Sequence, residues 1–186
     1  AVRAVARPMQ PAPPPLLPGY ELRVLDGRHL AASEHRIKEP RRLRGAPLPG
    51  HSLVILDPTR GLVLDMLPCA DGHAQERSLL IELADEFQPG QLWIADRNFC
   101  TLKLLFGVAA KEAAFVIRQH AGLPFRLLGN RRYRGRGATG LVHEQAMELE
   151  YEGRTLAGRR VTVTVGQPPP GAGPGARRGK SGITLP

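Results

Sequence analysis

Two aspartates stand where short apolar segments give way to polar residues. Asp26 follows the segment ELRVL, and Asp96 follows LWIA. Open α/β sheets place their chemistry at the carboxyl ends of strands, and two carboxylates at the ends of neighbouring strands repel each other unless cations lie between them. Oxygen ligands favour Mg²⁺ or Mn²⁺, and a pair of such ions catalyses phosphoryl transfer. The alternative interpretation is that each aspartate only caps a helix or forms a turn.

Several arginines could hold the phosphates of a substrate. Arg97 follows the second aspartate, and Arg118 lies on a later strand-like segment. Four more arginines surround Tyr133 in the segment NRRYRGRG: Arg131, Arg132, Arg134 and Arg136. Alternating arginines can follow a phosphate backbone, and an aromatic ring can stack on a base. The alternatives are a local charge partner for Arg97, an edge charge for Arg118 and a solvated loop for the cluster.

The overall charge also favours a polyanionic partner. The 186 residues include 26 Lys plus Arg and 17 Asp plus Glu, a formal net charge of +9. Residues 121–186 carry eleven basic and four acidic residues and therefore hold most of this excess. Released counterions drive the association of such surfaces with nucleic acid.

Other common site types are not indicated. Cys69 and Cys100 are too few for a disulfide scaffold and lack zinc-site spacing, and His73 and His120 have no third ligand nearby in the sequence. No apolar run approaches the roughly 20 residues of a membrane span. The sequence therefore predicts no membrane association and a cytoplasmic protein with free thiols.

The pattern of elements predicts a mixed α/β sheet of five strands. The first strand begins near Leu22 and ends at Asp26-Gly27, and the runs SLVILDP and GLVLDML form a hairpin. Helical spacing follows in ERSLLIELADEF, then a strand in LWIAD, a helix in TLKLLFGVAAKEA with Thr101 as a candidate N-cap, and a fifth strand in AFVIRQH. This order favours a sheet that is antiparallel on one side and parallel on the other, with covering helices.

Composition divides the chain into four parts. Residues 1–19 are a Pro-rich linker, 20–120 the α/β core, 121–165 a β-rich basic addition after the fifth strand, and 166–186 a Pro/Gly-rich basic tail. We expect the tail to be disordered.

Three segments resemble the catalytic region of bacterial insertion-sequence transposases of the DDE class, in the insertion-sequence-four group. They are VLDGRHLAASEHRIKEPRRLRGAPLPG, DGHAQERSLL and LWIADRNFCTLKLLFGVAAKEAAFVIRQH, of which the block from Trp93 to His120 is the most specific. The resemblance implies a ribonuclease-H-like fold with a β-rich insertion after the fifth strand. It also implies that Asp26 and Asp96 are the first two of three acidic residues that hold two Mg²⁺ (or Mn²⁺) ions.

The third acidic residue of that group is a glutamate in the signature Y-x2-R-x3-E-x6-K, and no segment here fits this spacing. Four glutamates lie in the β-rich addition, where alternating strands would scatter them: Glu144, Glu148, Glu150 and Glu152. We therefore assign none of them to the site. The chain is expected to be a catalytic-domain fragment, truncated before the third acid and inactive.

The resemblance implies double-stranded DNA as the partner, both the element ends and the target, and a homodimer for the full-length protein. The implied reaction is phosphodiester cleavage followed by strand transfer, in the cytoplasm at the nucleoid. Two alternatives remain at this point. One is a non-catalytic nucleic-acid-binding module with structural carboxylates, and the other is an unrelated two-metal nuclease.

Overall fold

The structure is a computed structural model that describes residues 13–29, 51–68, 83–165 and 180–184. The described strands are β1 (Glu21–His29), β2 (His51–Asp57), β3 (Leu62–Pro68), β4 (Gln91–Ala95), β5 (Ala114–Arg118), β6 (Arg126–Gly137), β7 (Gly140–Tyr151), β8 (Arg154–Val165) and β9 (Lys180–Thr184). The described helices are a 3-10 turn at Arg97–Phe99 and the α-helix α1 at Leu102–Ala110.

The first five strands form a mixed sheet in the order β3-β2-β1-β4-β5. β3, β2 and β1 are antiparallel neighbours, whereas β1, β4 and β5 run parallel. The predicted hairpin is present, since Pro58–Gly61 form the turn between β2 and β3. The prediction of a sheet that is antiparallel on one side and parallel on the other is confirmed.

β1 does not end at Asp26, and this part of the prediction is wrong. The strand continues to His29 because its last residues still pair with β2, up to His29 opposite His51. Its parallel pairing with β4 stops at Leu25 opposite Ala95. Asp-Gly therefore marks the end of one ladder rather than the end of the strand.

One face of the sheet packs against α1 and holds the core; we call it the helix face. Leu25, Trp93 and Phe115 are buried there, and α1 contributes Leu105 and Val108. α1 begins as the sequence predicts, since the Thr101 hydroxyl accepts a hydrogen bond from the Leu104 N–H at 3.3 Å. Burial of this apolar surface is the main stabilising contribution to the domain.

Strands β6, β7 and β8 form an antiparallel meander, as expected for a β-rich segment. The meander is not separate from the core sheet, because β9 pairs with β5 on one side and with β8 on the other. All nine described strands thus form one sheet. Met147 and Leu149 of β7 join the core cluster on the helix face.

The expectation of a disordered tail is wrong for Lys180–Thr184, which form β9. The facing edges of β5 and β8 offer unpaired backbone groups, and an added strand satisfies them.

The remaining tail residues, the connector 30–50, His73 and most of the helix expected at ERSLLIELADEF lie outside the described residues. Of that helix, residues 83–86 are described, and they form a turn.

Candidate active site

Asp26 and Asp96 each directly follow the last paired residues of the parallel ladder between β1 and β4. Each is one residue beyond the partner pair Leu25 and Ala95. Leu25 faces the core, so Asp26 projects from the opposite face by strand alternation. Asp96 has extended backbone angles (φ −80°, ψ 180°), which keep it in the same alternation. Neighbouring strands are about 4.8 Å apart, and both side chains are exposed.

We call the face that carries these two aspartates the carboxylate face. It is apolar next to the aspartates, since Val24 and Ile94 precede them on the same side of their strands. Asp26 lies opposite Val54 of β2.

Asp96 has a second, local role. One oxygen of its carboxylate accepts a hydrogen bond from the Asn98 N–H at 2.7 Å and so caps the 3-10 turn. The capping interpretation of Asp96 is therefore correct, but it leaves the other carboxylate oxygen available. The cap fixes the orientation of the side chain at the strand end, which suits a ligand position.

The sheet places Arg118 beside Asp96. Ala95 is opposite Ile117 of β5, so the next residues, Asp96 and Arg118, share a level and a face. Arg118 is exposed, and so is Arg97 at the start of the 3-10 turn. An arginine beside two carboxylates offers planar donors for the oxygens of a phosphate held there.

Glu144 lies on the carboxylate face, at the same height along the strands as Asp96, but several strands away from the two aspartates. Strand pairing connects Arg118 with Gly182 of β9, Gly182 with Val161 of β8, and Val161 with Glu144 of β7. Asp96 and Glu144 are therefore four strand spacings apart, about 19 Å at 4.8 Å per spacing. Glu144 cannot share an ion with Asp96, and its carboxylate is instead paired with Arg134 at 3.2 Å and Arg159 at 3.5 Å. The Arg134 hydrogen bond is the main cause that lowers the pKa of Glu144.

The other glutamates of the meander are equally remote from a shared site. Glu148 pairs with Arg126 across β6 and β7, and Glu152 lies 3.7 Å from Arg154. Glu150 is exposed on β7 opposite Thr155. Within the described ranges no group of three His, Cys, Asp or Glu side chains is arranged to hold a metal ion. Asp26 and Asp96 are two carboxylates on neighbouring strands, and carboxylate oxygens are the ligands that Mg²⁺ and Mn²⁺ prefer.

The four arginines around Tyr133 all lie on β6, which is an edge strand of the sheet. β6 departs from regular pairing twice, between Leu128 and Arg132 and between Tyr133 and Gly135. These irregularities distribute the four side chains over both faces of the strand. The sequence identified the cluster but could not assign the faces.

Asp57, the last residue of β2, is a buried carboxylate that the sequence did not single out, and it lies near Arg23 of β1. Asp57 is 1% exposed and pairs with Arg60 at 2.8 Å and Arg23 at 3.8 Å. Its Oδ1 accepts the N–H groups of Thr59 and Arg60. Burial acts to raise the pKa of Asp57, but the Arg60 hydrogen bonds and the two positive charges hold it below the usual value. The turn D-P-T-R, in which an aspartate bonds the backbone two residues on, is the signal that could have revealed it.

Asp57 and its partners line a cavity of about 320 Å³ together with Trp93 and Gln91. The cavity opens at the amino-terminal ends of β1 and β4, away from Asp26 and Asp96. Gln91 is itself bonded there, since its Oε1 accepts the Trp93 Nε1–H at 2.9 Å. We interpret this region as a structural polar network.

The fold is thus a mixed sheet with two aspartates that directly follow the parallel ladder between β1 and β4. Residues 17–163 match the family model described as the transposase DDE domain, and the chain belongs to this family. The family supports a role in DNA transposition and implies DNA binding and phosphoryl transfer. A search of curated proteins finds no match to the chain. Among the described residues, no helix has the length and apolar character needed to cross a membrane.

Proposed function

We propose that this chain provides the first two acidic residues of a transposase active site of the insertion-sequence-four group. The observation that carries the proposal is the shared register of β1 and β4, which sets Asp26 and Asp96 next to each other on one face. In this role the two carboxylates bind Mg²⁺ or Mn²⁺. A bound ion of this kind activates the attacking oxygen and offsets charge on the transferring phosphoryl group.

The protein's own groups would act as follows. The Asp96 carboxylate is held in place by the Asn98 N–H, so its orientation does not depend on the ion. Arg118 neutralises a phosphate oxygen beside the carboxylates, and Arg97 approaches the same strand of DNA from the 3-10 turn. A third acidic residue must come from outside the set described here, because Glu144 is too far away.

Metal binding tests this proposal most directly. We expect calorimetry to detect Mn²⁺ binding that is abolished in Asp26→Asn and in Asp96→Asn. Glu150→Gln is the matched control, since it removes one exposed carboxylate elsewhere in the sheet. Mn²⁺ binding that survives both aspartate substitutions would contradict the proposed site and would favour a non-catalytic nucleic-acid-binding module.

The products of the reaction separate a transposase from a nuclease. Where the third acid is supplied, a transposase both nicks a duplex that carries the element end and joins the freed 3′ end to a second duplex. A two-metal nuclease nicks without joining. Strand joining that depends on Asp26 and Asp96 is the result expected here.

A further inference from the structure

The four arginines of β6 point to two different sides of the sheet. Arg132 lies opposite Glu144 in the β6–β7 ladder, and Arg134 forms an ion pair with the same glutamate. These two arginines therefore belong to the carboxylate face. Arg131 bonds the Thr164 hydroxyl at 3.3 Å, and Arg136 lies opposite Leu141. Thr164 is the β8 partner of Leu141, so Arg131 and Arg136 emerge on the other side.

On the carboxylate face of the meander, the arginines and Glu144 partly neutralise each other's charge. Glu144 accepts from Arg134 and from Arg159, and Arg132 lies close enough to contribute to its lowered pKa. A carboxylate at the centre of three guanidinium groups reduces the local positive potential and uses donors that a phosphate would need.

On the other side of the meander, the exposed part around Tyr133, which we call the Tyr133 face, carries several arginines. It includes Arg131, Tyr133, Arg136, His143, Arg160 and Thr164. None of the strand residues that the pairing assigns to this side of β6, β7 and β8 is acidic. Tyr133 is 59% exposed between the two arginines and rests edge-on against His143, with ring centroids 5.6 Å apart.

Two side-chain contacts hold Arg160 of the Tyr133 face in place. Arg160 donates its Nε–H to the Gln119 side chain at 2.8 Å and lies over the Phe125 ring at 5.3 Å from its centroid. These contacts orient the guanidinium of Arg160. Arg132 lies opposite Glu144 and Arg136 opposite Leu141, so the backbones of Arg131 and Arg136 are about four residues of β7 apart, or roughly 14 Å at 3.4 Å per residue.

We propose that the Tyr133 face is the surface of the meander that binds DNA, through phosphate contacts of Arg131 and Arg136, and that the side around Glu144 is a structural ion-pair network. This inference rests on the proposed function for the identity of the partner. It places the bound phosphates on the side of the continuous sheet opposite the Asp26 and Asp96 carboxylates. DNA held at the Tyr133 face is thus a different segment from the phosphodiester at the acidic site.

The test compares two double variants that remove the same charge from the same strand. Binding of a duplex DNA is measured for the full chain in EDTA across a series of salt concentrations. Arg131→Gln/Arg136→Gln should flatten the log–log salt slope by about 1.8, since each lost phosphate contact contributes roughly 0.9. Arg132→Gln/Arg134→Gln should change the slope by much less. In the second variant Glu144 has lost Arg134, so its negative charge is less neutralised. Adding Glu144→Gln removes that charge, and the DNA affinity of the triple variant should return close to that of the unaltered chain.

Equal losses from the two double variants would overturn the inference, and so would a larger loss from Arg132→Gln/Arg134→Gln. Circular dichroism and thermal melts check that each variant remains folded. Mn²⁺ titration of Asp26→Asn/Asp96→Asn tests the proposed function separately, because no residue of the Tyr133 face is a proposed metal ligand. Loss of Mn²⁺ binding with retained, Arg131-dependent DNA binding supports both proposals. Retained DNA binding without any aspartate-dependent metal binding contradicts the active site alone.

Discussion

At the scale of single residues, Asp96 has one observed role, as a cap, and one proposed role, as a cation ligand, which the sequence presented as alternatives. Its carboxylate caps a 3-10 turn and also occupies the strand end beside Asp26. Capping requires only a side-chain oxygen that accepts an N–H, whereas cation binding requires the negative charge. The two roles can therefore be separated by substitution.

Asp96→Asn should retain the cap and lose the cation, while Asp96→Ala should lose both. Asparagine is as good a capping residue as aspartate, so the melting temperature of Asp96→Asn should match that of the unaltered chain. Asp96→Ala should melt at a lower temperature because the Asn98 N–H loses its acceptor. Thermal melts and Mn²⁺ titrations of both variants check this. Equal melting temperatures for the two variants would show that the cap contributes nothing.

Asp57 should make a large contribution to stability. Its charge is buried and bonded to Arg60 and to two backbone N–H groups, and hydrogen bonds to a charged group contribute about 1.5–3 kcal/mol. Asp57→Asn should lower the free energy of unfolding by about that amount in urea titrations. Asp65→Asn is the control, since Asp65 bonds only the adjacent Met66 N–H among the contacts seen.

The lowered pKa of Asp57 predicts that the free energy of unfolding depends on pH. The pKa of Asp57 is lowered in the folded protein, so its contribution to stability is fully present above the unfolded pKa of about 3.9 and is lost as pH falls through the folded value. Urea titrations between pH 6 and 3 should show stability falling below about pH 4. The fall should be smaller in Asp57→Asn, and an identical fall in both proteins would assign the effect to other carboxylates.

At the scale of elements, local signals predicted some features well and non-local pairing decided the others. The β2–β3 hairpin and the start of α1 depend on residues adjacent in sequence, such as Pro58 and Thr101, so the sequence was sufficient. The extent of β1 depends on β2, and β9 depends on the open edges of β5 and β8. The face of each β6 arginine depends on two irregularities in the pairing. Such features involve partners distant in sequence, and composition does not encode them.

The Thr101 cap can be tested directly. Thr101→Ala removes the acceptor of the Leu104 N–H and should destabilise the protein by about 1 kcal/mol, within the 0.5–2 kcal/mol typical of N-caps. Thr101→Ser keeps the hydroxyl and should be close to neutral. Urea unfolding of the two variants gives the comparison, and an equal effect of serine and alanine would assign the loss to the threonine methyl group.

β9 should hold the meander against the core sheet. Its backbone pairs with Val116–Arg118 of β5 and with Arg159–Val163 of β8. Ending the chain after Gly179 should therefore increase amide hydrogen exchange in those two segments, since part of each ladder would lose its partner. Amides of β1 and β4 serve as internal controls, because they pair within the core. Unchanged exchange in β8 would mean that β9 does not contribute to the stability of the junction.

At the scale of the whole molecule, the nine described strands form one sheet whose two sides have different electrostatic character. The carboxylate face carries Asp26 and Asp96 near one side and the compensated Glu144 network near the other. The helix face carries the core near α1 and becomes the basic Tyr133 face in the meander. One continuous sheet thus separates a surface suited to cations from a surface suited to phosphates, and sheet twist of roughly 20–25° per strand turns each surface gradually along its length.

This arrangement predicts that the chain binds DNA without cutting it efficiently. The proposed DNA-binding surface lies on the meander, whose residues 126–165 are all described. Cleavage requires aligned ions, and a misplacement of about 1 Å can cost on the order of a hundredfold in rate. The two aspartates have no third acidic side chain near them in the part of the chain that is described, and Glu144 lies about four strand spacings away. Cleavage of an end-sequence duplex in Mn²⁺ should therefore stay at the level of Asp26→Asn/Asp96→Asn, while the duplex is still bound. Rapid cleavage abolished by Asp96→Asn but unaffected by Glu144→Gln would show that a residue outside the described ranges completes the site. Cleavage abolished by Glu144→Gln would contradict the spacing of the sheet itself.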